Sequence, residues 1–107
     1  MPFLASSDIV ARQLFGGAIQ ARYAHLERLT IGEVVLEAGA LVPMHHHEHE
    51  QISFMLEGRA AFTVDGETRE VGPGDFVLMP ANAPHAVKAL TACRVVDVFS
   101  PAREVYR

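Results

Sequence analysis

The sequence predicts an all-β protein, on three observations. Glycine, proline and Asp-Gly punctuation recurs at short intervals; the runs between these breaks are brief and rich in Val, Ile, Leu, Phe and Thr; and apolar residues almost nowhere hold the spacing of three and four that a helix needs. Elements this short bury their apolar sides by stacking or closing sheets, so a sandwich, a barrel and a jelly roll all fit the pattern.

Residues 9–15 come nearest to helical spacing, and Gly16-Gly17 ends them. The first clear strand is Thr30–Leu36, β-branched and apolar, with a turn at Gly39. Residues 52–56 form the next, closed by Glu57-Gly58-Arg59. Ala60–Val64 and Glu67–Val71 flank Asp65-Gly66, a strong hairpin signal because a type I′ turn needs positive φ at both central residues. Phe76–Met79 follows and Pro80 stops it; later strands are expected over roughly residues 86–88 and from Cys93 onward.

A chain of 107 residues fits one domain, 1–107, with its barrel core expected over roughly residues 30–99 and earlier residues supplying the first strands. Half the residues are apolar and the net charge is −4, unlike the basic face of a nucleic-acid binder. The N-terminus lacks the basic start and long apolar stretch of a signal peptide, and no apolar run reaches membrane-spanning length, so a cytoplasmic protein without a membrane partner is expected. The lone Cys93 has no partner for an internal disulfide and reads as a core residue.

Four of the six histidines fall in His45-His46-His47-Glu48-His49, followed by Glu50-Gln51. On a strand, alternate side chains share a face, so His45, His47 and His49 can point one way and two of them can bind one metal ion. A solvated histidine-rich loop is the plain alternative. The flanking residues favour the metal. Gly39, five residues, His45, one residue, His47, three residues, Gln51, six residues and Gly58 resemble the first motif of the cupins, with Gln51 where that family most often has Glu. Gly74, five residues, Pro80 and then His85 resemble the second, with Asn82 in place of the usual glycine and Ala89 in place of the usual asparagine.

The resemblance runs through roughly residues 39–99 and implies a double-stranded β-helix, or jelly-roll barrel, with His45, His47, Gln51 and His85 as ligands of one divalent ion. His49, between two of these ligands, could be an outer-shell partner, an alternative ligand or a surface residue, and a non-ligand role is expected. Zinc, nickel, iron, manganese and copper all suit these donors. Three neutral imidazoles and a neutral amide leave the ion its full charge, which favours acidic, oxygen-rich substrates. Related barrels and the small size together imply a homodimer.

Residues 94–99 are apolar on both faces, as in a strand buried on two sides, except for Asp97. A buried carboxylate must be paired, for instance with Arg22 or Arg103, lie near the metal, or carry a raised pKa. The segments 46–51 and 97–104 resemble the pectin-degradation cupins, which open the ring of 4,5-unsaturated uronates to the linear keto form. That resemblance makes Asp97 and Phe99 the functional pair, Asp97 exchanging protons and Phe99 shaping the pocket. Arg103 reads as an exposed tail residue. A cupin dioxygenase and a non-catalytic module that binds a small ligand are the alternatives.

Overall fold

The computed structural model describes residues 2–107, in which ten strands alternate with short turns. The strands are β1 (Arg12–Leu14), β2 (Ile19–His25), β3 (Thr30–Leu36), β4 (Leu41–His45), β5 (Glu50–Glu57), β6 (Ala60–Val64), β7 (Glu67–Val71), β8 (Phe76–Met79), β9 (His85–Ala89) and β10 (Cys93–Ser100). All pairings are antiparallel. One sheet has six strands in the order β1-β2-β3-β10-β5-β8, the other four in the order β4-β9-β6-β7. This is the jelly-roll barrel that the sequence motifs imply. No helix of the described residues is long and apolar enough to cross a membrane.

Two-residue alternation decides which side chains fill the barrel. Ile19, Ala21 and Tyr23 on β2, Val34 and Leu36 on β3, and Val95 and Phe99 on β10 are buried, and Met55, Phe62 and Met79 join the same apolar cluster. The core therefore reaches back to Ile19. The helical spacing of residues 9–15 is not used. Arg12–Leu14 pairs with β2 as an edge strand, and Phe15, Gly16 and Gly17 all take positive φ, which breaks any helix there.

The Asp65-Gly66 hairpin forms as the sequence indicates, with φ of 50° and 85°, and joins β6 to β7 in register from Val64↔Glu67 to Ala60↔Val71. Asn82 also has positive φ, at 64°. The backbone demand usually met by glycine at this place is met here by a residue whose short polar side chain tolerates the left-handed region. β4 is not evident in the sequence because Pro43 lies inside it. As an edge strand with a register shift after Val42, it can hold a proline without breaking a ladder.

Gly58 turns β5 into β6 at φ 84°, and a Cβ there would lie 2.1 Å from the Ala92 carbonyl oxygen. Gly58→Ala should therefore destabilise the fold by at least about 2 kcal/mol, combining left-handed strain with a backbone clash. Urea unfolding of the metal-free protein measures it, and a loss under about 0.5 kcal/mol contradicts the stated geometry.

Candidate metal centre

Three of the histidines converge at one mouth of the barrel. The β4–β9 register sets His45 directly opposite His85, and their rings meet edge to face at 4.2 Å between centroids. His47 follows in the loop after β4, tied to the loop before β9 by the Asn82 N–H, which donates to the His47 carbonyl at 2.8 Å. One ring nitrogen from each of His45, His47 and His85 lies within 4.8 Å of the others.

Each ring is oriented by the chain beside it. The Nδ1–H groups of His45, His47 and His85 donate to the carbonyls of Pro43, His49 and Ala83, each at 2.9 Å. That fixes the tautomer and turns every Nε2 lone pair into the site, the arrangement by which proteins hold imidazole ligands. Burial, the largest influence, lowers the pKa of His47 and of His85, so both rings are neutral donors at neutral pH.

Gln51, on the inner face of β5, completes the cluster. Its amide N–H donates to the Ser53 Oγ at 3.3 Å, which leaves Oε1 facing the His47 Nε2 at 3.2 Å. Two lone pairs that close repel unless a cation lies near both. The His85 Nε2 is buried without a hydrogen-bond partner. An orphaned imidazole nitrogen and two opposed acceptors fit a bound divalent cation, and all four donors suit a first-row transition metal.

The same face carries the remaining chemistry. Ser53 lies directly across from Asp97 in the β5–β10 ladder and Gln51 across from Phe99. The Ser53 hydroxyl donates to the Asp97 Oδ1 at 2.5 Å. Desolvation pushes the Asp97 pKa up from 3.8 to about 6 against the lowering pull of its hydrogen bonds to Ser53 and Gln51. Asp97 retains some surface toward the cavity, yet protein encloses it on every other side, so desolvation dominates. Among the described residues it has no ion-pair partner. The Arg22 Nε instead donates to the Ile9 carbonyl, so the structural ion pair considered for Asp97 does not form.

Arg103 differs from the exposed tail residue its position suggested. The segment after β10 folds back over the mouth: the Arg103 N–H donates to Thr30 Oγ1 at 2.8 Å, and Tyr106 stacks on Tyr23 at 4.2 Å. This lays the guanidinium over the rings of Phe99 and Tyr106, at 5.3 and 5.0 Å. Its Nε is buried and unpartnered, and Nη1 lies 3.3 Å from the His49 Nδ1. His49 stands outside the three-histidine group because β4 ends at His45 and strand alternation does not continue through residue 49. The imidazoles, Gln51, Asp97, Phe99 and Arg103 all line one cavity of about 100 Å³. Ser53 was missed in the sequence. Its signal is a lone hydroxyl in the apolar run 52–56, two residues from Gln51 and so on the same face.

Removing a ligand should empty the site. His85→Ala should weaken zinc binding at least about 100-fold by titration calorimetry, and unchanged affinity would place the metal elsewhere. A second test follows from Asp97. Its folded pKa of about 6 exceeds the unfolded value, so the folded state holds a proton between about pH 4 and 6 and bears a buried charge above that range. In chelator-treated protein, the stabilisation by Asp97→Asn relative to wild type should grow by about 2 kcal/mol between pH 4.5 and pH 8. A difference independent of pH contradicts the raised pKa.

The Cupin domain family model matches residues 32–99. The chain is 43% identical over 56 residues to dimethylsulfoniopropionate lyase DddQ of Ruegeria pomeroyi, a match spanning 51% of this chain and 28% of that protein. It is 34% identical over 67 residues to the pectin degradation protein KdgF of Dickeya dadantii, across 61% of each. The solved structure of KdgF from a Halomonas species superposes with a TM-score of 0.92 at 29% identity, covering 100% of this chain and 99% of that one. The chain belongs to the cupin domain family, and its three-histidine cluster fits a metal-binding member that resembles the pectin-degradation cupins.

Proposed function

We propose that the protein opens the ring of 4,5-unsaturated uronate monosaccharides. The observation that carries this reading is a carboxyl group and a guanidinium, Asp97 and Arg103, that share one cavity with three imidazoles and have no ion-pair partner of their own among the described residues. The likeness to the KdgF proteins supports the same assignment.

The reaction is an isomerisation and needs no co-reactant. A proton leaves the C1 hydroxyl, the bond from C1 to the ring oxygen breaks to give an aldehyde, and the enol left at C5 becomes a ketone when C4 takes a proton. Asp97, with a pKa near neutrality, both accepts and returns a proton under working conditions. Ser53 holds that carboxyl in place through its 2.5 Å hydrogen bond. Arg103 offers a planar set of donors to the substrate carboxylate, over a floor formed by Phe99 and Tyr106. A divalent ion held by His45, His47, Gln51 and His85 would supply a Lewis acid for the sugar's carboxylate or ring oxygens. The metal-bearing mouth thus selects a small acidic sugar by charge at two points.

The test is loss of the enol-ether absorbance when the metal-loaded protein meets unsaturated galacturonate or mannuronate. Wild type should accelerate that loss, with equal rates in air and under nitrogen. Asp97→Asn with matched metal content should lower kcat at least about 100-fold, and Arg103→Ala should act mainly on KM, raising it about 10-fold or more. A wild-type rate equal to the spontaneous one sinks the reading, and dependence on oxygen points to a dioxygenase instead.

A further inference from the structure

We infer that His25 and Thr30 are positioning residues, which latch the turn 103–106 over the mouth of the barrel and so hold the Arg103 guanidinium ready for the substrate carboxylate. Their role in binding rests on the uronate reading of that cavity. The register places them there. His25 pairs with Thr30 between β2 and β3, Thr30 with Phe99 between β3 and β10, and Phe99 with Gln51 between β10 and β5. One row across these strands thus runs from Gln51 at the histidine cluster, through the Phe99 ring beneath Arg103, to His25 at its outer end.

Thr30 is fully buried, so its hydroxyl must find partners within the protein for both its oxygen and its proton. The oxygen accepts the Arg103 N–H at 2.8 Å. The proton goes to His25, whose Nδ1 lies 2.8 Å away. Direction is fixed at the far side of the ring: Nε2 lies 3.0 Å from the Tyr106 carbonyl, a group that only accepts, so Nε2 carries the proton and Nδ1 of the neutral ring accepts. The Tyr106 N–H in turn donates to the Arg103 carbonyl at 3.0 Å, closing the turn on itself. Both ends of the turn are therefore tied to one imidazole, the first through Thr30 and the last directly.

The grip on an anion is built from the same two ends. Arg103 supplies the guanidinium and Tyr106 one of the rings beneath it, 5.0 Å away, with Tyr106 itself stacked on Tyr23. Other ties on this segment, from Arg107 to the Leu26 carbonyl and from Arg12 to the Arg107 carbonyl, are exposed to water, where such bonds hold weakly. Those of His25 and Thr30 are sheltered and lie beside Arg103. An arginine side chain gives up much rotamer freedom on binding, and fixing it beforehand raises affinity without altering the chemical step. Loss of the latch therefore acts on KM rather than on kcat.

Kinetics of metal-loaded Thr30→Val and His25→Leu, beside trypsin cleavage after Arg103, test this. Valine keeps the β-branched shape of Thr30 and removes the hydroxyl. His25 is half-buried at the end of β2, so its variant decides should Thr30→Val not fold. Each variant should raise KM for the unsaturated uronate about 5-fold or more with kcat within about 2-fold of wild type, leave zinc affinity unchanged, and be cut after Arg103 about 10-fold faster. In an Arg103→Ala background, where no guanidinium remains to position, Thr30→Val should add less than about 2-fold to KM. His25→Gln, whose amide nitrogen takes the place of Nε2 and donates to the Tyr106 carbonyl, should restore KM and cleavage to within about 2-fold of wild type. Unchanged KM in folded variants, a fall in kcat as large as the rise in KM, full additivity with Arg103→Ala, or His25→Gln behaving as His25→Leu each overturns the latch. Wild type that does not turn the uronate over overturns the proposed function instead; the cleavage rates then decide the latch by themselves, equal rates overturning it.

Discussion

The barrel interior is apolar, and at one mouth it nonetheless collects three imidazoles, an amide, a hydroxyl, a carboxyl and a guanidinium. Polar groups taken from water must find partners, and most of this arrangement follows from how they do so. Backbone carbonyls take the Nδ1–H of all three histidines, Ser53 joins Gln51 to Asp97, and Thr30 receives the Arg103 N–H. What stays unsatisfied among the described residues is informative: the His85 Nε2, the opposed acceptors of His47 and Gln51, and the buried Arg103 Nε all belong to residues that line the cavity. The fold thus completes every bond that orients the site and leaves open those that a metal ion and an anion would complete.

Antiparallel register turns this into geometry. Pairing His45 with His85, Gln51 with Phe99 and Ser53 with Asp97 places side chains from distant parts of the chain within a few ångströms on inner faces of the two sheets. A one-residue slip of β10 against β5 would send Asp97 and Phe99 to solvent and bring Val96 and Val98 inside. The alternation that builds the inner site therefore also creates an apolar outer face, because Ile52 and Phe54 on β5 and Val96 and Val98 on β10 alternate with the residues that line the cavity.

Asp97 and Arg103 show how the tertiary setting changes what a residue can do. A carboxyl and a guanidinium in one cavity would ordinarily neutralise each other. Here Ser53 and Gln51 hold the carboxyl, while the rings of Phe99 and Tyr106 support the guanidinium. Kept apart, each stays available for the role proposed for it, proton exchange for the carboxyl and anion binding for the guanidinium.

Most of the strand framework was legible in the sequence. Thr30–Leu36, Ala60–Val64, Glu67–Val71 and Phe76–Met79 have the bounds that their composition and turn residues indicate, since β-branched runs between glycine and proline breaks determine local structure by themselves. So were the histidines, because ligand spacing is a property of the chain. β2 was less plain because alanines dilute its alternation, and β4 was hidden by a proline that is tolerated only at a sheet edge. Ser53 and Arg103 gave weak signals for a different reason: what they do depends on Asp97 lying 44 residues from Ser53 and on Thr30 lying 73 residues from Arg103. The sequence by itself determined an all-β chain with a metal-ligand motif. Tertiary structure decided which polar residues share the cavity and which apolar residues are left outside, because burial and cross-strand register exist only once distant strands pair.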